Sequence, residues 1–226
     1  MVPAGLRRWL DGRATGVKVC GITRREDARA AVEAGVDALG FNFYPKSKRW
    51  VRLETIAPWV AELPPEIGRV AVVVNPDEVL MQELLGSGFF HAVQFHGHEE
   101  PEFCARWGGV FYVRACPLID EDSAREALAD PAPALLLDAH APGVFGGTGR
   151  TIDWRLAAGV TSAAGRPVVL SGGLNAENVT GAVRQVKPMA VDTASGVETA
   201  PGVKDAGLMR RFVAAVRAGQ ADERHS

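Results

Sequence analysis

The 226-residue chain is poor in cysteine, in long apolar runs and in net charge, and each shortage excludes a class of protein. Its three cysteines, Cys20, Cys104 and Cys116, form no CxxC pair and no regular framework. A sparse, odd count fits a reducing compartment better than a secreted disulfide scaffold. No apolar stretch approaches the roughly 18 residues of a membrane span. The opening stretch carries Arg7 and Arg8, but no apolar core or small-residue cleavage site follows them, so it is a poor signal peptide. Lys and Arg number 25 against 27 Asp and Glu, a formal charge of -2, which gives no general basic surface for nucleic acid or anionic lipid. A cytoplasmic protein without nucleic-acid or membrane partners is expected.

Metal and cofactor signatures are also missing. His96-Gly-His98 lacks the accompanying histidine and carboxylate set of a metal site, so no metal is expected. Gly146-Gly-Thr-Gly149 fits neither the Walker nor the dinucleotide pattern and reads as a flexible loop, so no cofactor is expected either.

What the chain does contain is a repeated alternation. Short apolar runs at 17–22, 38–43, 69–74, 91–95, 110–114, 134–138, 167–171 and 189–192 read as strands. Amphipathic stretches at 24–34, 53–62, 76–85, 99–107, 122–129, within 153–158, and at 176–186 and 205–216 read as the helices between and after them. Several runs, such as Val70-Ala-Val-Val-Val74, are apolar throughout, as in strands covered on both faces. Eight strand–helix pairs without a linker predict a single (β/α)₈ barrel over 17–218. Residues 1–16 are expected to form a flexible extension, and 219–226 a tail.

Such a barrel carries its active site at the C-terminal ends of the strands. Polar residues with chemistry cluster at those ends: Cys20 on strand one, Asn42 to Arg49 after strand two, Asn75 on strand three, and Gln94 and His96 on strand four. Arg114, Asp138, Ser171-Gly-Gly173 and Asp192 follow in the same way on strands five to eight. Lys46-Ser-Lys-Arg49 makes a local basic patch suited to an acidic ligand, although Lys46 and Lys48 read as solvated loop charges.

At these residues the chain resembles the phosphoribosylanthranilate isomerases. The matching stretches are Lys18-Val-Cys-Gly-Ile-Thr23, Gly40-Phe-Asn-Phe-Tyr-Pro-Lys-Ser-Lys-Arg49, Val93-Gln-Phe-His-Gly97 and Leu136-Leu-Asp-Ala139. They continue with Gly146-Gly-Thr-Gly-Arg-Thr-Ile-Asp-Trp154, Leu170-Ser-Gly-Gly-Leu-Asn-Ala-Glu-Asn178, Val191-Asp-Thr-Ala-Ser-Gly-Val-Glu198 and Pro201-Gly-Val-Lys-Asp205. The eight blocks fall in the family's order and span about 17–216.

The resemblance implies an isomerase of tryptophan biosynthesis. It would carry N-(5-phosphoribosyl)anthranilate, a phosphorylated aminoaldose, through an Amadori rearrangement to 1-(2-carboxyphenylamino)-1-deoxyribulose 5-phosphate. It further implies Cys20 as the general base, a role that requires a cationic or dipolar neighbourhood to favour the thiolate. Asp138 would be the general acid, and Arg49 would hold the anthranilate carboxylate, a task suited to a guanidinium fork. Phosphate would sit on loops seven and eight, at Gly172, Gly173, Ser195 and Gly196. Gln94, His96 and Asp192 would line the substrate site. Thr193-Ala194 departs from the family's frequent Val-Ser before Ser195, and Asn42 stands where an apolar residue is common.

Two other readings compete. One is the related histidine-pathway aminoaldose isomerase, which uses aspartate at the end of strand one and carries two phosphate loops; here strand one ends in Cys20, and no second Ser-Gly-Gly loop appears in the first half. The other is a barrel that binds a ligand without turnover, against which stands the retention of Cys20, Arg49 and Asp138 together. Either a monomer or a homodimer is compatible with the sequence.

Overall fold

A computed structural model describes residues 4–11, 14–139 and 152–221. Its centre is a closed barrel of eight parallel strands in sequence order: β1 (Gly16–Cys20), β2 (Ala38–Asn42), β3 (Gly68–Val73), β4 (Ala92–Phe95), β5 (Phe111–Pro117), β6 (Leu135–Asp138), β7 (Val168–Leu170) and β8 (Ala190–Thr193). β8 closes on β1 with Lys18 opposite Asp192. The helices that follow the strands are α2 (Arg25–Glu33), α3 (Leu53–Val60), α4 (Glu78–Gly86), α5 (Pro101–Arg106), α6 (Glu121–Ala129), α7 (Trp154–Ala163), α8 (Val179–Val186) and α9 (Ala206–Ala221). This is the (β/α)₈ architecture expected from the alternation.

The period of two along each strand divides the core. Val17, Val19, Leu39, Phe41 and Val93 belong to the layer between barrel and helices. Their neighbours Ala38, Val70, Ala92, Val113, Leu136 and Val169 fill the barrel's lower interior. Above this apolar floor the interior positions turn polar, with Lys18, Gln94, Asp138 and Asp192 all buried. The change from apolar to polar along the barrel axis is what places the site at the C-terminal end of the strands.

Helix starts follow from side chains that accept the free N–H groups of the first turn. Asp77 accepts from the Leu80 amide at 2.8 Å, and Asp120 and Ser123 close a capping box on α6.

Four features differ from the sequence expectations. The 1–16 segment contains a helix, α1 (Ala4–Asp11), whose Leu6 is 1% exposed and joins the barrel's lower core. The Gly5 amide donates to the Glu66 carbonyl at 2.8 Å, tying that helix to the turn before β3. Apolar residues 6, 9 and 10 have helical spacing, and the open lower end of the barrel gives Leu6 somewhere to go. At the other end, α9 continues to Ala221, so 219–221 are helical rather than tail.

The third difference is a small hairpin after β8, formed by β9 (Glu198–Ala200) and β10 (Val203–Lys204). The fourth is β5, which runs three residues beyond the expected end. Arg114 therefore lies within the strand and pairs with Asp130 at 3.3 Å instead of ending at the site. Among the described residues, no helix is long and apolar enough to cross a membrane.

Candidate active site

The strand ends surround a cavity that opens to solvent. Cys20, Arg49, Gln94, His96, Asp138, Asp192, Gly172, Gly173 and Ser195 all line it. Gly196, the remaining residue singled out from the sequence, does not. Asn42, Tyr44, Ser47 and Ser171 add further polar wall. The loop containing Gly146–Gly149 lies outside the described residues.

Asp138 ends β6 and is buried, and its Oδ1 accepts from the Ala139 amide at 2.7 Å. Its Oδ2 lies 3.3 Å from the Nε2 of His96. The Nδ1 of that imidazole meets the side-chain nitrogen of Gln94 at 2.9 Å. With the amide donating to Nδ1, the neutral ring carries its proton on Nε2, facing Asp138. Gln94 on β4 and His96 just after its end thus form a chain that ends on one carboxylate. His98 is exposed, so the two histidines do not converge. Among the described residues, no group of three or more His, Cys, Asp or Glu side chains is placed to hold a metal ion.

Cys20 ends β1 on the cavity wall. One turn of the pleat below it, Lys18 is 1% exposed and its Nζ reaches Asp192 Oδ1 at 2.9 Å. Burial pushes the Cys20 thiol above its ordinary pKa, while Lys18 and Lys204 pull it down and Asp192 pushes it further up. Asp192 is likewise raised by burial, against the pull of Lys18, with the charge of Asp138 adding to the rise. For Lys18, burial favours the neutral amine, but Asp192 and Cys20 outweigh it and hold the ammonium.

Arg49 reaches the cavity from the loop after β2, but its fork is already engaged. Nε and Nη2 donate to the two carboxylate oxygens of Glu198 at 2.7 and 2.6 Å. Glu198 also receives the Lys204 ammonium at 2.7 Å, and that ammonium donates to the carbonyls of Cys20 and Ala194. Burial would raise the Glu198 carboxyl, yet Arg49 and Lys204 hold it below its usual value. Asp27 accepts from the Lys204 amide at 3.0 Å and pairs with Arg24, extending the lattice into α2. The hairpin missed in the sequence therefore carries Glu198 and Lys204, both of which tie the Arg49 loop to the Cys20 strand.

Loops seven and eight meet closely. Gly172 and Gly173 both have positive φ, 87° and 64°, and the Asn178 side-chain amide donates to the Gly173 carbonyl at 2.9 Å. Thr193 Oγ1 donates to the Leu174 carbonyl at 2.7 Å, so the departure at Thr193 supplies a bond between the loops. A Cβ on Gly196 would lie only 2.0 Å from that same carbonyl oxygen. The contribution of Gly196 is therefore close backbone approach, which explains its absence from the cavity wall.

Asn75, grouped with the strand-end residues from sequence, is a loop brace. Its backbone, at φ 46°, donates to Glu99 at 2.8 Å, and its side chain accepts from the His98 amide. Lys46 and Lys48 are exposed.

Comparison with known proteins places this geometry. The family model described as N-(5'phosphoribosyl)anthranilate (PRA) isomerase matches residues 17–215. The N-(5'-phosphoribosyl)anthranilate isomerase of Thiobacillus denitrificans is 44% identical over 207 residues, covering 91% of this chain and 99% of that protein. Its counterpart in Pseudomonas putida is 44% identical over 202 residues, covering 88% and 96%. Among solved structures, phosphoribosyl anthranilate isomerase from Thermotoga maritima superposes with a TM-score of 0.83 at 40% identity, covering 90% of this chain and 98% of that one. A phosphoribosyl anthranilate isomerase in complex with reduced 1-(o-carboxyphenylamino)-1-deoxyribulose 5-phosphate gives a TM-score of 0.81 at 38% identity, with the same coverage.

Proposed function

Because the chain belongs to the N-(5'-phosphoribosyl)anthranilate isomerase family, we propose that its cavity performs that isomerisation with Cys20 as general base and Asp138 as general acid. The activity is the tryptophan-pathway Amadori rearrangement of N-(5-phosphoribosyl)anthranilate. The observation that carries the assignment of roles is the meeting of Cys20 and Asp138, from strands one and six, on the wall of one cavity.

The chemistry needs a proton delivered to the furanose oxygen and another removed from C2 of the sugar. Asp138 supplies the first, breaking the C1–O bond and leaving an iminium between the sugar and the anthranilate nitrogen. His96, 3.3 Å away, donates toward the carboxylate that remains. The iminium acidifies the C2 proton, and Cys20 takes it as thiolate to give the enamine, which tautomerises to the aminoketose. Each proton transfer asks for about 10²–10⁴-fold from its residue.

Binding follows from the rest of the wall. Glu198 occupies two of the five guanidinium N–H groups of Arg49, leaving the others for the anthranilate carboxylate. The Glu198 contact fixes the plane of the guanidinium, so a substrate carboxylate meets it already oriented. The amides around Gly172, Gly173 and Ser195, near the start of α8, receive the phosphate. Gly196 supports that receptor by its approach to Leu174.

The test is substitution at the two reacting groups. Cys20→Ala and Asp138→Asn should each lower kcat by at least ~10²-fold in folded protein. Activity retained by either variant would remove that residue from the mechanism.

A further inference from the structure

The thiol proposed as base sits in a place that penalises its active form. Burial disfavours the thiolate, and Asp192 adds a like charge. Something must oppose both, and the charged groups facing Cys20 are few. Lys204 comes from the hairpin and Arg49 from the loop after β2, but Glu198 binds both of them. Asp192 reaches from β8, and Asp138 and His96 act on Asp192 in turn. Lys18 is the cation on the sulfur's own strand; its Nζ hydrogen-bonds Asp192 at 2.9 Å, and it lies beside the Cys20 Sγ, whose ionisation it favours.

Geometry isolates Lys18 for this task. Lys18 and Cys20 alternate with the outward-facing Val17 and Val19, so both side chains point into the barrel. Gly40, paired with Cys20 on β2, leaves the room they need. A Cβ at Gly40 would fall 2.8 Å from Cys20 Sγ and 3.0 Å from Lys18 Nζ. The cation and the sulfur therefore crowd one spot that only glycine keeps open. Lys18 itself does not line the cavity, so it cannot act on substrate directly.

We propose that Lys18, held by Asp192, is the positioning residue that keeps Cys20 ionisable at its buried site. Asp192 then has a role that its place on the cavity wall did not reveal. It retains the ammonium inside the barrel, where an unpaired charge would be expelled or neutralised. No bond is made or broken by Lys18; its buried positive charge stabilises the anionic sulfur over the neutral thiol. The proposal rests on the reading of Cys20 as base.

The test is the rate of Cys20 alkylation by iodoacetamide as a function of pH, with the modified peptide identified by mass spectrometry. Lys18→Met should alkylate at least ~10-fold more slowly near pH 8, with its ionisation midpoint moved upward, since one unit is a tenfold change below the midpoint. Its kcat should fall with KM little changed, and the acid limb of its activity profile should move to higher pH. If the unpaired Asp192 unfolds that variant, Lys18→Met with Asp192→Asn removes both buried charges and should also alkylate slowly. An unchanged alkylation midpoint in either folded protein would overturn the proposal. Turnover by Cys20→Ala reads the base assignment separately. Loss of activity there, beside an unchanged midpoint in Lys18→Met, keeps Cys20 and removes Lys18.

Discussion

Arg49 and Glu198, 149 residues apart in sequence, face each other fork to fork, with both carboxylate oxygens of Glu198 taken by the guanidinium. The pair joins the loop after β2 to the hairpin after β8, and Lys204 fastens it to the backbone of Cys20. The loop that carries Arg49 and the strand that carries Cys20 are thereby built into one frame.

Releasing that frame should be felt mainly in binding. Glu198→Gln keeps the shape but loses the charge, freeing Arg49 to swing. KM for the aminoaldose should rise, while kcat changes less, because the carboxylate contact is the same in ground and transition states. Arg49→Ala should raise KM further. Steady-state kinetics of the two variants decide this, and a pure kcat loss in Arg49→Ala would contradict its role as carboxylate anchor.

The same carboxylate carries a pH signature. Burial alone would raise Glu198, but Arg49 and Lys204 hold it below its ordinary value. A group depressed in the folded state contributes stability that is present above its unfolded pKa and lost as pH falls through its folded one. The stability advantage of wild type over Glu198→Gln should therefore be largest near neutrality and shrink below about pH 4.5. Urea midpoints at neutral and acid pH check the sign; an advantage that grows with acidity would contradict it.

Gly196→Ala should harm the phosphate receptor without touching a reacting group. Its Cβ would lie 2.0 Å from the Leu174 carbonyl oxygen, a backbone atom that no side-chain rotation can move away, so the loops must separate. KM should rise, and inorganic phosphate should protect less against thermal unfolding than in wild type. Unchanged phosphate protection would show that the two loops do not form the receptor.

Leu6→Ala tests the lower end of the barrel. Leu6 is fully buried, and its side chain reaches within 3 Å of where a Cβ on Gly68 would stand. Emptying such a site costs about 2–5 kcal/mol in comparable cores. Denaturant unfolding should show that loss with kcat unchanged, because the floor separates Leu6 from the reacting groups. Wild-type stability would mean that α1 does not seal the barrel.

The division of the fold into eight strand–helix pairs was legible because each strand is an apolar run and each helix has its own period. Cys20, Asp138, Gln94 and His96 were legible as residues of the cavity wall for a related reason, since strand ends in this fold face one cavity. Lys18 was not singled out, although Val17-Lys-Val19 alternates and places the lysine opposite the two valines. A charge inside a barrel runs against the usual reading of lysine, and its partner Asp192 is 174 residues away. Glu198 and Lys204 were hidden by the same distance in sequence. Arg114 misled because its strand runs on to Pro117, which moved the arginine from the strand end to a pairing with Asp130. The 1–16 segment was read as a tail because nothing local indicates that the barrel floor needs Leu6.

The most direct measurement is steady-state turnover of freshly generated N-(5-phosphoribosyl)anthranilate, followed by loss of anthranilate fluorescence, without added metal or cofactor. Efficient turnover is predicted, with no comparable activity on the histidine-pathway aminoaldose. Folded protein that leaves the anthranilate substrate unchanged, or that prefers the histidine-pathway compound, would contradict the account.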